Sequence, residues 1–243
     1  MLAREVITAG RVLVGGAPAT TPARQVAEYE AIRVSSPPRP YVSRGGAKLA
    51  AALDHFAIPV ERAHALDAGA STGGFTDCLL QRGAHHVHAV DVGRGQLAWK
   101  LRTDPRVTVL ERTNVRDLAP DQLGGRVALT VADLSFISLV TVASALAACT
   151  TADGDLVLLV KPQFEAARDR VGKGGVVRDR SVHAAVLVEV ARGLETARIF
   201  VRGVVASPLL GADGNREFLV HCRQTGPSIS PALLASAAQA EDG

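Results

Sequence analysis

From Tyr41 onward the chain alternates two patterns: short apolar runs rich in β-branched residues, and longer stretches with apolar residues every three or four positions. The first predicts buried strands and the second amphipathic helices. "HALDAG" leads into "GGFTDCLLQRG", "HVHAVDVG" into "QLAWKLRTD" and "LTVADL" into "LVTVASALAAC", with "VTVLER" and "DLVLLVKP" as further strands. Beyond the glycine-rich "VGKGGVVRD" come one helix, "SVHAAVLVEVARGLETA", and two strands, "RIFVRGVVASP" and "REFLVHCR". Strands alternating with helices predict a doubly wound α/β fold, a mostly parallel seven-stranded sheet with helices on both faces. No helix separates the last two strands, so they are expected to pair antiparallel at one edge.

Ahead of this region, residues 1–34 read as a short unit: a helical "LAREVITAG" closed by Gly10, then the extended "RVLVGG" and "AIRV". The three prolines of "SSPPRP", residues 35–40, predict a stiff linker, and residues 226–243 a flexible tail. The stretch Leu129–Cys149 has the length of a bilayer span and one charge. Its β-branched first part ends at Asp133 and its second part favours a helix, so strand, loop and helix are expected instead of a span. The first residues show no signal-peptide pattern. Three widely spaced cysteines, Cys78, Cys149 and Cys222, cannot close a disulfide framework, which points to reduced thiols and a cytoplasmic protein. A net charge of +3 permits a polyanionic partner without requiring one.

The chemistry concentrates at strand ends. "LDAGASTGGFT", Leu66–Thr76, runs from a strand through a glycine-rich turn into a helix, which brings free backbone amides to the carboxyl edge of the sheet. Gly69, Ser71 and Gly74 stand where a dinucleotide binder carries three glycines, so a nucleoside without a pyrophosphate is the expected ligand. Asp91, ending the next strand, suits a pair of ribose hydroxyls, and Asp67 a cationic or amino group. Phe75 either closes over the ligand or packs in the core. Asp133 and Lys161 end apolar strands, Lys48 lies in the helical "SRGGAKL" and Glu217 opens the last strand in "GNREFLV".

The ordered strings "SRGGAKL", "LDAGASTGGFT", "VDVGRGQLAWKLR", "VADLSFISL", "LVKPQFE" and "GNREFL" resemble the TlyA family of ribosomal RNA ribose 2′-O-methyltransferases, often labelled haemolysin-like, among the FtsJ-type enzymes. The resemblance implies a class I, Rossmann-like methyltransferase domain over 41–225 and S-adenosylmethionine as donor. It also implies cytidine ribose in small- and large-subunit ribosomal RNA as acceptor, no metal, and a catalytic tetrad at Lys48, Asp133, Lys161 and Glu217. The donor site would comprise Asp67, Gly69, Ser71, Gly74, Phe75 and Asp91, with Asn114 and Val115 beside the adenine. Against the family's N-terminal S4-type RNA-binding domain, residues 1–34 correspond to a shortened unit.

Arg4 and Arg11 there, Arg44, and Arg168, Arg170, Lys173 and Arg178 in a loop expected to be mobile are candidate RNA contacts. Lys161, or else Asp133, would accept the acceptor's proton. Other readings are a Rossmann oxidoreductase, a non-catalytic RNA-binding or ribosome-assembly factor, and a membrane-active haemolysin. The oligomeric state is left open.

Overall fold

Seven apolar runs of the larger unit pair side by side in one sheet, in the order Val107–Leu110, His86–Val90, His64–Ala68, Val127–Ala132, Thr150–Val160, Phe218–Arg223 and Phe200–Ala206. The computed structural model describes residues 3–35, 40–211 and 213–239, and the chain divides into the units Met1–Pro40 and Tyr41–Gly243. Most of the expected linker, residues 36–39, lies outside the described residues.

In the first unit, helix α1 (Ala3–Thr8) ends where Gly10 takes φ +67°, a left-handed conformation that glycine adopts without strain. Strand β1 (Val12–Val14) turns through Gly15 and Gly16 into β2 (Ala17–Pro18) and pairs on its other side with β3 (Ile32–Val34), both antiparallel. Val12, Val14 and Ala19 form its small core with Val6 and Ile7.

The second unit runs α2 (Arg44–His55), β4 (His64–Ala68), α3 (Gly74–Gln81), β5 (His86–Val90), α4 (Trp99–Arg102), β6 (Val107–Leu110), β7 (Val127–Ala132), α5 (Leu139–Cys149), β8 (Thr150–Val160), α6 (Pro162–Glu165), α7 (Arg180–Thr196), β9 (Phe200–Ala206), β10 (Phe218–Arg223) and α8 (Pro231–Gln239). Alternate residues of β8 feed two apolar cores, Leu156, Leu158 and Val160 one of them, Val157 and Leu159 the other. That is why this strand reads as a continuous apolar run. The stretch 129–149 resolves into β7, a loop and α5, and no helix among the described residues is long and apolar enough to cross a membrane.

Register aligns the strand ends. Ala68 lies opposite both Val90 and Ala132, and Ala132 opposite Leu158, so Gly69, Asp91, Asp133 and Lys161 all emerge at the carboxyl edge. The strand order reverses direction between β4 and β7, where open α/β sheets bind ligands. The antiparallel edge is the expected hairpin, and its inner strand β10 carries the reversal. Because β10 runs backwards, it begins where its neighbours end. Phe218 pairs with Val160, which brings the preceding Glu217 beside the following Lys161.

One expectation is corrected. The tail anticipated as flexible over 226–243 folds from Pro231 into α8, whose Leu234 and Ala238 are buried in the larger core. Arg216 donates to the Ala238 carbonyl and Arg180 to that of Gln239, satisfying acceptors that the helix end leaves over. Within the loop anticipated as mobile, the Val177 amide donates to buried Asn215 at 2.9 Å and the Gly175 carbonyl accepts from Asn215 at 2.9 Å.

Candidate active site

The glycine-rich turn after β4 is held against β5: the amides of Gly69 and Ala70 both donate to the Val90 carbonyl, at 2.8 and 3.0 Å. Gly69 has φ +86°, and a Cβ there would lie 2.6 Å from the Asp133 carbonyl oxygen. Only glycine lets this turn approach the loop after β7 so closely. Asp91 accepts from the Ser71 amide and from the Gly93 amide, each at 2.7 Å, so its carboxylate is aimed by backbone and keeps lone pairs for a ligand. It stands in a cavity of about 460 Å³ whose lining includes Gly69, Ser71, Asn114, Val115 and Leu134. Apolar walls from Leu134, Ile137 and Val142, with a carboxylate and a carboxamide among them, fit a nucleoside.

Asp67 is not part of this lining. It is wholly buried beneath the turn, accepts from the Thr76 hydroxyl at 2.6 Å, and has Oδ1 without a hydrogen-bond partner. The sequence placed it one residue before the strand end, and strand alternation turns that position away from the crevice. Burial, reinforced by the charges of Asp133 and Asp91 and opposed by the Thr76 hydrogen bond, pushes its carboxyl up to about 7. Between pH 4 and 7 the folded state therefore holds a proton that the unfolded chain has released, and stability falls as pH rises. Asp67→Asn should remove this slope. Relative to the native protein, its stability in denaturant titrations should improve by on the order of 3 kcal/mol between pH 4.5 and 7.5. A constant difference across that range would refute the assignment.

Phe75 is buried in one core and also lines a second cavity, not the nucleoside one. Gly74 opens α3 where a Cβ would lie 2.9 Å from the Gly46 amide of α2, and it lines the same cavity as Phe75. The second cavity, about 360 Å³, is lined by Lys48, Asp133, Lys161 and Glu217 together. It shares Gly69, Ser71, Asp133 and Ser135 with the first, making one crevice. Lys161 Nζ lies 2.6 Å from Asp133 Oδ1 and donates to Ser135 Oγ at 3.0 Å. Lys48 and Glu217 form a second ion pair with both side chains buried. Helix α2 supplies Lys48 from its buried face, between Gly46 and Leu49.

Sequence reasoning passed over Ser135, two residues beyond Asp133; a hydroxyl in a strand-end loop was the available signal. Arg44 lines the tetrad cavity. Arg168, Lys173 and Arg178 are exposed and line neither cavity, while Arg170 makes paired bonds to Glu189 at 3.2 and 3.0 Å. Arg4 is exposed on α1 and Arg11 is partly buried, both in the first unit.

The sequence profile of the FtsJ-like methyltransferases matches residues 41–224. The chain belongs to that family. Within the FtsJ-like methyltransferases it falls with the TlyA proteins: the "16S/23S rRNA (cytidine-2′-O)-methyltransferase TlyA" of Mycobacterium tuberculosis is 53% identical over 237 residues, 97% of this chain and 88% of that one. A protein described as a hemolysin from Streptococcus thermophilus has a similar structure, with a TM-score of 0.80 and 39% identity over 98% of this chain and 88% of its own. The S-adenosylmethionine dependent methyltransferase of Mesorhizobium loti shares the fold alone, at a TM-score of 0.52 and 15% identity over 71% of this chain and 96% of that one. The chain is thus a methyltransferase, and the oxidoreductase and non-catalytic readings give way.

Proposed function

We propose that this methyltransferase transfers a methyl group from S-adenosylmethionine to the ribose 2′-oxygen of cytidine in ribosomal RNA of both subunits. The observation that carries the reading is the meeting of Lys48, Asp133, Lys161 and Glu217, from four separate elements, in a cavity that opens into a nucleoside-sized one. When bound, S-adenosylmethionine supplies an electrophilic methyl group on a sulfonium. Asp91 would hold its ribose, Gly69 and Ser71 its amino-acid end, and Asn114 and Val115 would lie beside its adenine. An alcohol is a poor nucleophile, so the protein must align the 2′-hydroxyl and remove its proton. Lys161, whose ammonium meets Asp133 and Ser135, would align the hydroxyl; Lys161 in its neutral form, or else Asp133, would accept the proton, with the buried Lys48–Glu217 pair lining the same cavity.

RNA contacts are assigned to Arg44 at the cavity mouth and to exposed Arg168, Lys173 and Arg178, with Arg170 available if it leaves Glu189. Arg4 and Arg11 serve in an S4-like unit, and the work is done in the cytoplasm. Labelled methyl transfer to isolated ribosomal subunits, followed by mapping of the modified nucleotide, tests the reading; no ribose methylation on either subunit would end it. Calorimetry on Asp91→Ala should show donor affinity falling about tenfold or more, from loss of a charge-assisted ribose contact. Unchanged affinity would move the donor elsewhere.

A further inference from the structure

Two segments at the catalytic edge face each other residue by residue. One, Asp133 to Leu139, follows β7; the other, Lys161 to Glu165, follows β8. Lys161 meets Asp133 and Ser135, the ring of Phe164 lies 4.9 Å from that of Phe136, and Glu165 takes Ser138 and Leu139. The Glu165 carboxylate spends both oxygens on the opposite segment, accepting from Ser138 Oγ at 2.6 Å and from the Leu139 amide at 2.8 Å. Ser138 in turn accepts from the Val140 amide, so the two side chains cap α5 together. Between the anchor points Phe136 has φ +65° and is 90% exposed as a residue.

A bulky residue in the left-handed region costs about 1–3 kcal/mol and persists only where its surroundings hold it. The loop is held at both ends, by Lys161 near Asp133 and by Glu165 near α5. Without Glu165 the hold on Ser138 and the Leu139 amide is gone.

We propose that Glu165 is a positioning residue for methyl transfer: by gripping Ser138 and the Leu139 amide it fixes the 133–138 loop, and hence Asp133, against Lys161. The inference rests on the reading of Asp133 and Lys161 as part of the transfer site. A helix cap alone would contribute stability and nothing to turnover, so the two roles separate experimentally.

Glu165→Ala should lower kcat on ribosomal subunits about 10- to 100-fold, the cost of a displacement near 1 Å at a reacting centre. This kcat is read at saturating donor, because Asp133, Leu134 and Ile137 also line the nucleoside cavity and donor affinity is expected to fall too. KM for the subunit should stay within about threefold. Glu165→Gln should recover turnover to within about threefold of native, since a carboxamide can accept from Leu139 and donate to Ser138 Oγ. Amide hydrogen exchange on the full chain should be faster over 134–139 in the alanine variant and native-like in the glutamine variant. Turnover of Glu165→Ala within twofold of native, measured below its Tm, would overturn the proposal, as would a glutamine variant as slow as alanine. If the native protein methylates no subunit, the functional reading fails. The exchange arm then decides by itself: unchanged protection of 134–139 in Glu165→Ala refutes the positioning role.

Discussion

Lys161→Ala should lower methyl transfer to ribosomal subunits by about 10²- to 10⁴-fold, the range for losing a group that handles the proton in the transition state. Donor affinity should change less than about twofold. The separation follows from where the side chain stands: Lys161 lines the tetrad cavity and is not among the residues of the nucleoside cavity, whereas Asp133 lines both. Asp133→Ala is therefore expected to harm donor binding and turnover together. Lys161→Arg keeps a cation but cannot give up its proton, so a pH–rate profile of that variant distinguishes a proton acceptor from a charge that steadies the developing alkoxide. Retention of full turnover by Lys161→Ala would defeat both the tetrad and the ribose methyltransferase reading.

Glu217→Leu should destabilise the fold by about 3–5 kcal/mol, because it strands the Lys48 ammonium in the interior without its partner. For a unit of this size that corresponds to a Tm lower by on the order of 10 °C. The double variant Lys48→Met/Glu217→Leu should regain most of that loss, since replacing a buried ion pair with apolar side chains of similar volume is often neutral or better. Activity should not return with stability. The pair supplies a wall of the cavity beside Lys161, and apolar replacements cannot orient a hydroxyl there. Calorimetric scans and single-turnover methylation on all three variants test this. A double variant that is both stable and active would show the pair to be scaffolding only.

Much of this protein was legible before folding, for identifiable reasons. The runs "HALDAG", "HVHAVDVG", "LTVADL" and "DLVLLVKP" are buried on both faces or nearly so, and such strands announce themselves by composition alone. A residue directly after such a run in a parallel sheet has one destination, so Asp91, Asp133 and Lys161 could be assigned to the carboxyl edge from sequence. Asp67 shows where that logic stops: it lies inside the strand, and period-two alternation buried it under the turn it was expected to serve. The tail erred in the other direction. "PALLASAAQ" is too short and too weakly patterned to signal a stable helix, and α8 exists because Leu234 and Ala238 find a core to enter.

Local pattern thus determined the α/β class, the strand ends and the glycine turn, because backbone propensity and burial period act over a few residues. Only the tertiary structure decided which charges meet. Lys48 and Glu217 are separated by 169 positions, and Lys161 reaches Ser135 across 26. Those pairings depend on register and on the direction of β10, whose reversal delivers Glu217 to the edge where Lys161 emerges. Strand direction and pairing are long-range choices, made by the packing of whole elements, and no window of sequence contains them.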